Sequence, residues 1–96
     1  MKLKAKRVTF TLENDTEVSV DHKLFDRWRA DTVRVFESTN MDDGCYLKVT
    51  IWAYLDASSP LYSLYARRNE TYSEQHYFTT EAAARAHATR FLKTNT

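Results

Sequence analysis

The segment Cys45-Tyr46-Leu47-Lys48-Val49-Thr50-Ile51-Trp52-Ala53-Tyr54-Leu55-Asp56 decides the fold of this 96-residue chain. Its odd positions, Cys45, Leu47, Val49, Ile51, Ala53 and Leu55, are all apolar, whereas Tyr46, Lys48, Thr50, Trp52, Tyr54 and Asp56 are aromatic, polar or charged. Side chains alternate across a strand, so the segment reads as a strand with an aliphatic face on a core and a second face of different chemistry. A parallel strand covered on both sides is apolar throughout; the alternation therefore predicts an antiparallel sheet.

The same period extends outward. Val8, Phe10 and Leu12, then Val18 and Val20, predict a hairpin over residues 6–20 turning at Asn14 and Asp15. Asp21 can cap a short helix with Leu24, Phe25 and Trp28 on one face and Lys23, Asp26, Arg27 and Arg29 in water, an irregular crossover being the alternative. Val33 and Val35 restart the alternation, and Ser38 to Gly44 reads as the loop into the central strand, with Asn40, Asp42 and Asp43 a solvated turn. Beyond the break at Ser58, Ser59 and Pro60, Leu61–Arg67 and Thr71–Phe78 form a second hairpin around Arg68, Asn69 and Glu70. Both arms mix ring and polar residues, which leaves their register open.

The chain ends in a helix. Thr79 suits the N-cap, Phe78 and Ala83 a hydrophobic staple, and Glu81 the positive end of the dipole. Ala84, Ala88, Phe91 and Leu92 form the buried stripe, flanked by His87, opposite Arg85, Thr89 and Lys93. The expected fold is one α+β domain over residues 1–96: an antiparallel sheet of five or six strands, the C-terminal helix on one face, and a short helix between the second and third strands.

Composition narrows the chemistry. A single glycine, Gly44, excludes phosphate-cradling loops, which need several. Cys45, His22, His76 and His87 lack the close spacing of structural zinc or of a two-histidine metalloprotease, so neither metal nor cofactor is expected. Cys45 with His76 is the one nucleophile–base pair available, but Cys45 falls on the aliphatic face, where cysteine acts as a small hydrophobe; no enzyme is expected. The net charge of +1 argues against a general nucleic-acid binder. It hides local excesses: Lys2, Lys4, Lys6 and Arg7 stand without an acid, while Glu13, Asp15, Glu17, Asp21 and Asp26 face only Lys23. No apolar run is long enough for a membrane span, and the basic start lacks the apolar stretch of a signal peptide, so a cytoplasmic location is expected.

The outward face of the sheet is then the candidate site. Tyr46, Lys48, Trp52 and Tyr54, joined by Arg34 and Phe36 from the neighbouring strand, would make an aromatic and basic surface opposite the helix. Tyrosine, tryptophan and arginine anchor binding hot spots, because they cover much area with few rotors and keep a polar handle. The same rings could instead pack under the first helix with Phe25 and Trp28, or pair two copies as a dimer.

The run Tyr77, Phe78, Thr79, Thr80, Glu81, Ala82, Ala83 after two strands resembles the strand-to-helix junction of arm-type DNA-binding domains of phage integrases, over roughly residues 45–94. That resemblance implies DNA contacts, for which Arg67, Arg68 and Lys48 are the cations on these strands. A small α+β build with an aromatic face and no catalytic motif is also similar to phage and mobile-element inhibitors of the anti-CRISPR kind. This likeness implies a non-enzymatic protein that occupies a surface of a larger protein; the alternative is a small nucleic-acid module.

Overall fold

The computed structural model describes residues 6–42 and 44–94. Lys2, Lys4 and Asp43 lie outside these residues, as does the side chain of Asp42. The elements run β1 (Arg7–Thr11), β2 (Glu17–Asp21), α1 (His22–Ala30), β3 (Thr32–Asp42), β4 (Cys45–Tyr54), β5 (Tyr62–Arg68), β6 (Tyr72–Phe78) and α2 (Glu81–Thr94). The α+β class and antiparallel pairing follow the sequence reading. The strands form two sheets rather than one, a β1-β2 hairpin and a β3-β4-β5-β6 meander, touching through a parallel bridge between Leu12 and Tyr77. Among the described residues no helix is long and apolar enough to cross a membrane.

The aliphatic face of β4 is the floor of the main core. Leu47, Val49 and Ile51 lie beside Leu64 and Ala66 of β5, all at 1% exposure or less. Each large side chain so buried contributes about 1.5–3 kcal/mol. Ala84 and Ala88 of α2 are fully buried against this floor and Phe91 closes its end, so the helix crosses the sheet on methyl groups. Leu92 is half-buried beside them, and Arg85, Thr89 and Lys93 are exposed as their spacing requires. The cap differs by one residue: the Thr80 hydroxyl, not Thr79, accepts the Ala83 N–H at 3.1 Å.

Pairing of β3 with β4 continues to Asp42 opposite Cys45, so the expected loop from Ser38 is strand, closed by a tight turn at Gly44 with φ +82°. The Asp43-Gly44 pair is the sequence signal for such a turn. A bulge interrupts the ladder: Arg34 opposes Trp52 while Phe36 opposes Ile51, leaving Val35 as the extra residue. One inserted residue reverses the facing of all that follows. At the β5-β6 turn, Asn69 adopts φ 53°, a region asparagine tolerates, and binds the start of β4 twice. Its Oδ1 accepts the Tyr46 N–H and its N–H donates to the Tyr46 carbonyl, both at 2.8 Å. This clamp, with Tyr62 opposite Phe78 and Arg68 opposite Tyr72, sets the register that the sequence left open.

A second cluster holds the N-terminal half. Asp21 caps α1 through the Lys23 N–H, and Phe25 and Trp28 are buried with Phe10 and Leu61. Leu24, expected on that stripe, is 38% exposed, whereas Phe25 and Trp28 are 5% and 6% exposed. Glu13 fastens the hairpin to the β6–α2 junction, its carboxylate accepting the Thr79 N–H at 3.0 Å and the Thr79 hydroxyl at 2.5 Å.

Ala88→Leu should cost about 1–3 kcal/mol by overpacking the helix against the sheet, and Thr80→Ala about 1 kcal/mol by uncapping it, both read by urea denaturation. Desolvation opposes the Glu13 charge, yet the Thr79 bonds outweigh it and hold the carboxyl below its usual value of 4.5. The resulting stability is complete above that value and falls away as acid protonates the folded carboxylate. Wild type should therefore exceed Glu13→Gln in stability at neutral pH and converge with it in acid.

Candidate functional site

Cross-strand register assigns the face opposite α2. It carries Thr32, Arg34, Glu37, Thr39 and Met41 of β3, Tyr46, Lys48, Thr50, Trp52 and Tyr54 of β4, Ser63, Tyr65 and Arg67 of β5, and Ser73, Gln75 and Tyr77 of β6. One end is covered. Tyr54 and Tyr77 pack into the second cluster, with the Phe25 ring 6.0 Å from Tyr54 and the Phe10 ring 4.3 Å from Tyr77. The other end is open: Tyr65 is 42% and Met41 78% exposed.

Between the two ends lies Trp52. The Arg34 guanidinium stands 5.9 Å from its ring centre while donating to Glu37 at 2.8 Å, so ring and cation are held as one unit. A shallow cavity of about 280 Å³ beside Trp52 is lined by Arg29, Tyr54, Tyr65 and Gln75, among others. Lys48 and Arg67 are direct cross-strand partners. Like charges so placed repel, and among the described residues no carboxylate pairs with either. Arg67 is steadied by donating to the Asn69 carbonyl at 2.7 Å.

The structure thus unites Arg34, Tyr46, Lys48 and Trp52 on one face and adds Tyr65 and Arg67, whose facing depended on the unread register. It removes two expected members. Phe36 lies on the helix side, packed on the main core with the Arg85 guanidinium 5.1 Å from its ring, because the Val35 bulge turns it inward. Tyr54 is half-buried under α1, so for this ring packing beneath the first helix prevails. Arg68 does not join Arg67: it falls on the α2 side, its guanidinium 5.8 Å from the Tyr72 ring. Nor do Cys45 and His76 form a pair. His76 shares a row with Leu64 and Ile51, six positions along β4 from Cys45, which packs against the core.

One constellation escaped the sequence reading. Glu74 and His76 of β6 and His87 of α2 gather in a half-buried group on the helix side. Desolvation opposes the Glu74 charge, but the Tyr72 hydroxyl and His87, then the electrostatic influence of both imidazoles, hold its carboxyl below the usual value. The spacing Glu74-x-His76 on a predicted strand was the available signal, and the third member depended on where the helix would lie.

The chain matches no protein-family model, no curated protein and no solved structure. Its class rests on its own geometry, an α+β meander with a half-open aromatic and basic sheet face.

Burial, followed by the neighbouring Tyr54 hydroxyl, pushes the Tyr77 phenol up to about 12. An upward shift stabilises the fold fully below the ordinary value of 10 and is lost as pH rises toward the folded one. Absorbance titration should resolve a late-ionising tyrosine that disappears in Tyr77→Phe, with unfolding accompanying its ionisation.

Proposed function

We propose that the chain is a non-enzymatic binding protein that occupies an acidic surface of a larger protein, in the manner of phage and mobile-element inhibitors. Contact is made by the open part of the sheet face, through Trp52, Tyr65, Tyr46, Arg34, Lys48 and Arg67. The observation that carries this reading is the Trp52–Arg34–Glu37 unit beside exposed Tyr65. Rings flanked by cations, on strands rather than loops, are the composition of an interface hot spot. Among the described residues Glu37 is the acid on this face and is already engaged by Arg34, so Lys48 and Arg67 favour a negatively charged partner.

The Lys48–Arg67 pair also favours a second reading, a single-stranded nucleic acid stacked on Trp52 and Tyr65 with its backbone along the cations. The resemblance to arm-type domains supports it less well than the sequence suggested, since Arg67 and Arg68 occupy opposite faces.

Trp52→Ala combined with Tyr65→Ala should weaken capture of the partner from native host lysate by about 30-fold or more, on the order of 2 kcal/mol, while the circular-dichroism melt stays close to wild type. Retained capture by the double variant would dismiss the surface. Nuclease treatment separates the readings: a protein partner survives it, whereas a nucleic-acid ligand is lost and its affinity falls steeply with salt.

A further inference from the structure

The second face of the sheet holds its own chemistry. Glu74 and His76 are two residues apart on β6, so both point to the α2 side, and His87 descends from the second turn of the helix to meet them. Glu74 Oε1 is 2.8 Å from His87 Nε2 and 3.4 Å from His76 Nε2, and the two imidazole rings stand 4.4 Å apart at 51°. One donor atom from each residue lies within 4.8 Å of the others. The side chains are 20% (Glu74), 43% (His76) and 25% (His87) exposed, so they are partly withdrawn from water without being sealed.

Three donors around a tetrahedral ion with bonds of about 2.1 Å lie roughly 3.4 Å from one another. The Glu74–His76 separation already has that value, and the other two, 2.8 Å for Glu74–His87 and at most 4.8 Å between the imidazoles, lie around it. Two imidazoles and one carboxylate form a borderline donor set that suits zinc and its neighbours, while magnesium and calcium demand oxygen ligands. The remaining Glu74 oxygen accepts the Tyr72 hydroxyl, an outer partner of the kind that orients a ligating carboxylate. All three ligands stand on a strand and a helix joined by the main core, which limits the ordering a metal would have to impose. Glu74 and His87 also line a cavity of about 460 Å³ whose rim carries Arg68 and Arg90.

We infer that Glu74, His76 and His87 form a binding site for a divalent transition-metal ion, zinc by donor set, which ties β6 to α2 and leaves its fourth position toward that cavity. Three protein ligands with an open position is the arrangement of accessible zinc sites rather than closed structural ones. The two arginines at the rim make an anion the natural fourth ligand.

The test uses tag-free, chelator-treated protein and zinc chloride, with cobalt(II) as the spectroscopic probe. Calorimetry should give one zinc per chain, and zinc at about 100 times its Kd should raise Tm on the order of 10 °C. Magnesium and calcium should give no shift. Cobalt(II) should develop the intense visible absorption of a four-coordinate ion. His76→Ala and His87→Ala should each weaken zinc binding by more than the roughly 10–100-fold typical of losing an outer partner, and Tyr72→Phe by an amount within that range. His22→Ala, which removes the third histidine of the chain, should leave affinity unchanged. Should His87→Ala fail to fold, imidazole proton resonances of the wild type decide: zinc should shift His76 and His87 and leave His22 in place. Zinc binding weaker than millimolar, undiminished affinity in His76→Ala, or loss of binding in Cys45→Ser instead would overturn the assignment.

Discussion

Two alanines set the distance on which the rest of the molecule depends. Ala84 and Ala88 are fully buried against Val49, Ile51, Leu64 and Ala66, so α2 lies close over the sheet with only methyl groups between. Larger residues would lift the helix, and two sets of polar contacts would go with it. His87 reaches Glu74 because the helix is low, and Arg85 reaches both the Phe36 ring and the Val35 carbonyl, the latter at 2.8 Å, for the same reason. Close packing thus produces the main hydrophobic stabilisation and also brings a strand and a helix within hydrogen-bonding range at their border.

The opposite face is divided by a competing demand. The β1-β2 hairpin and α1 cannot bury Phe10, Phe25 and Trp28 by themselves, since a two-stranded sheet with a nine-residue helix offers too little apolar area. They take Tyr54 and Tyr77 from the meander as the missing wall. The rest of that face remains open, with Trp52 at the boundary and Tyr65, Lys48 and Arg67 beyond it. Its aromatic and basic character is therefore what is left after the second cluster has taken the rings it needs. Edge strand β3 carries Arg34, Glu37, Thr39 and Asn40, charged and polar residues of the sort that discourage edge-to-edge association.

The two sites differ in how legible they were. Arg34, Tyr46, Lys48 and Trp52 could be placed because strand alternation alone sends them to one side. Phe36 could not, because an inserted residue at Val35 reverses parity and leaves no compositional trace. Tyr65 and Arg67 needed a register that both arms of their hairpin, mixed in polarity, failed to specify until Asn69 fixed the turn. The Glu74, His76 and His87 group was harder still. Its members lie on two elements of different period, and their meeting depends on the height and azimuth of α2 over β6.

The sequence by itself determined the antiparallel α+β class, the aliphatic floor of β4, the presence of the β1-β2 and β5-β6 hairpins and the alanine stripe of the last helix. Each follows from local periodicity, which every residue carries with it. Only the tertiary structure decided that the strands divide into two sheets, that Tyr54 is covered while Tyr65 is not, and that two histidines and a glutamate converge. Those outcomes depend on which apolar surfaces find each other across the chain, a competition among distant segments that no local pattern encodes.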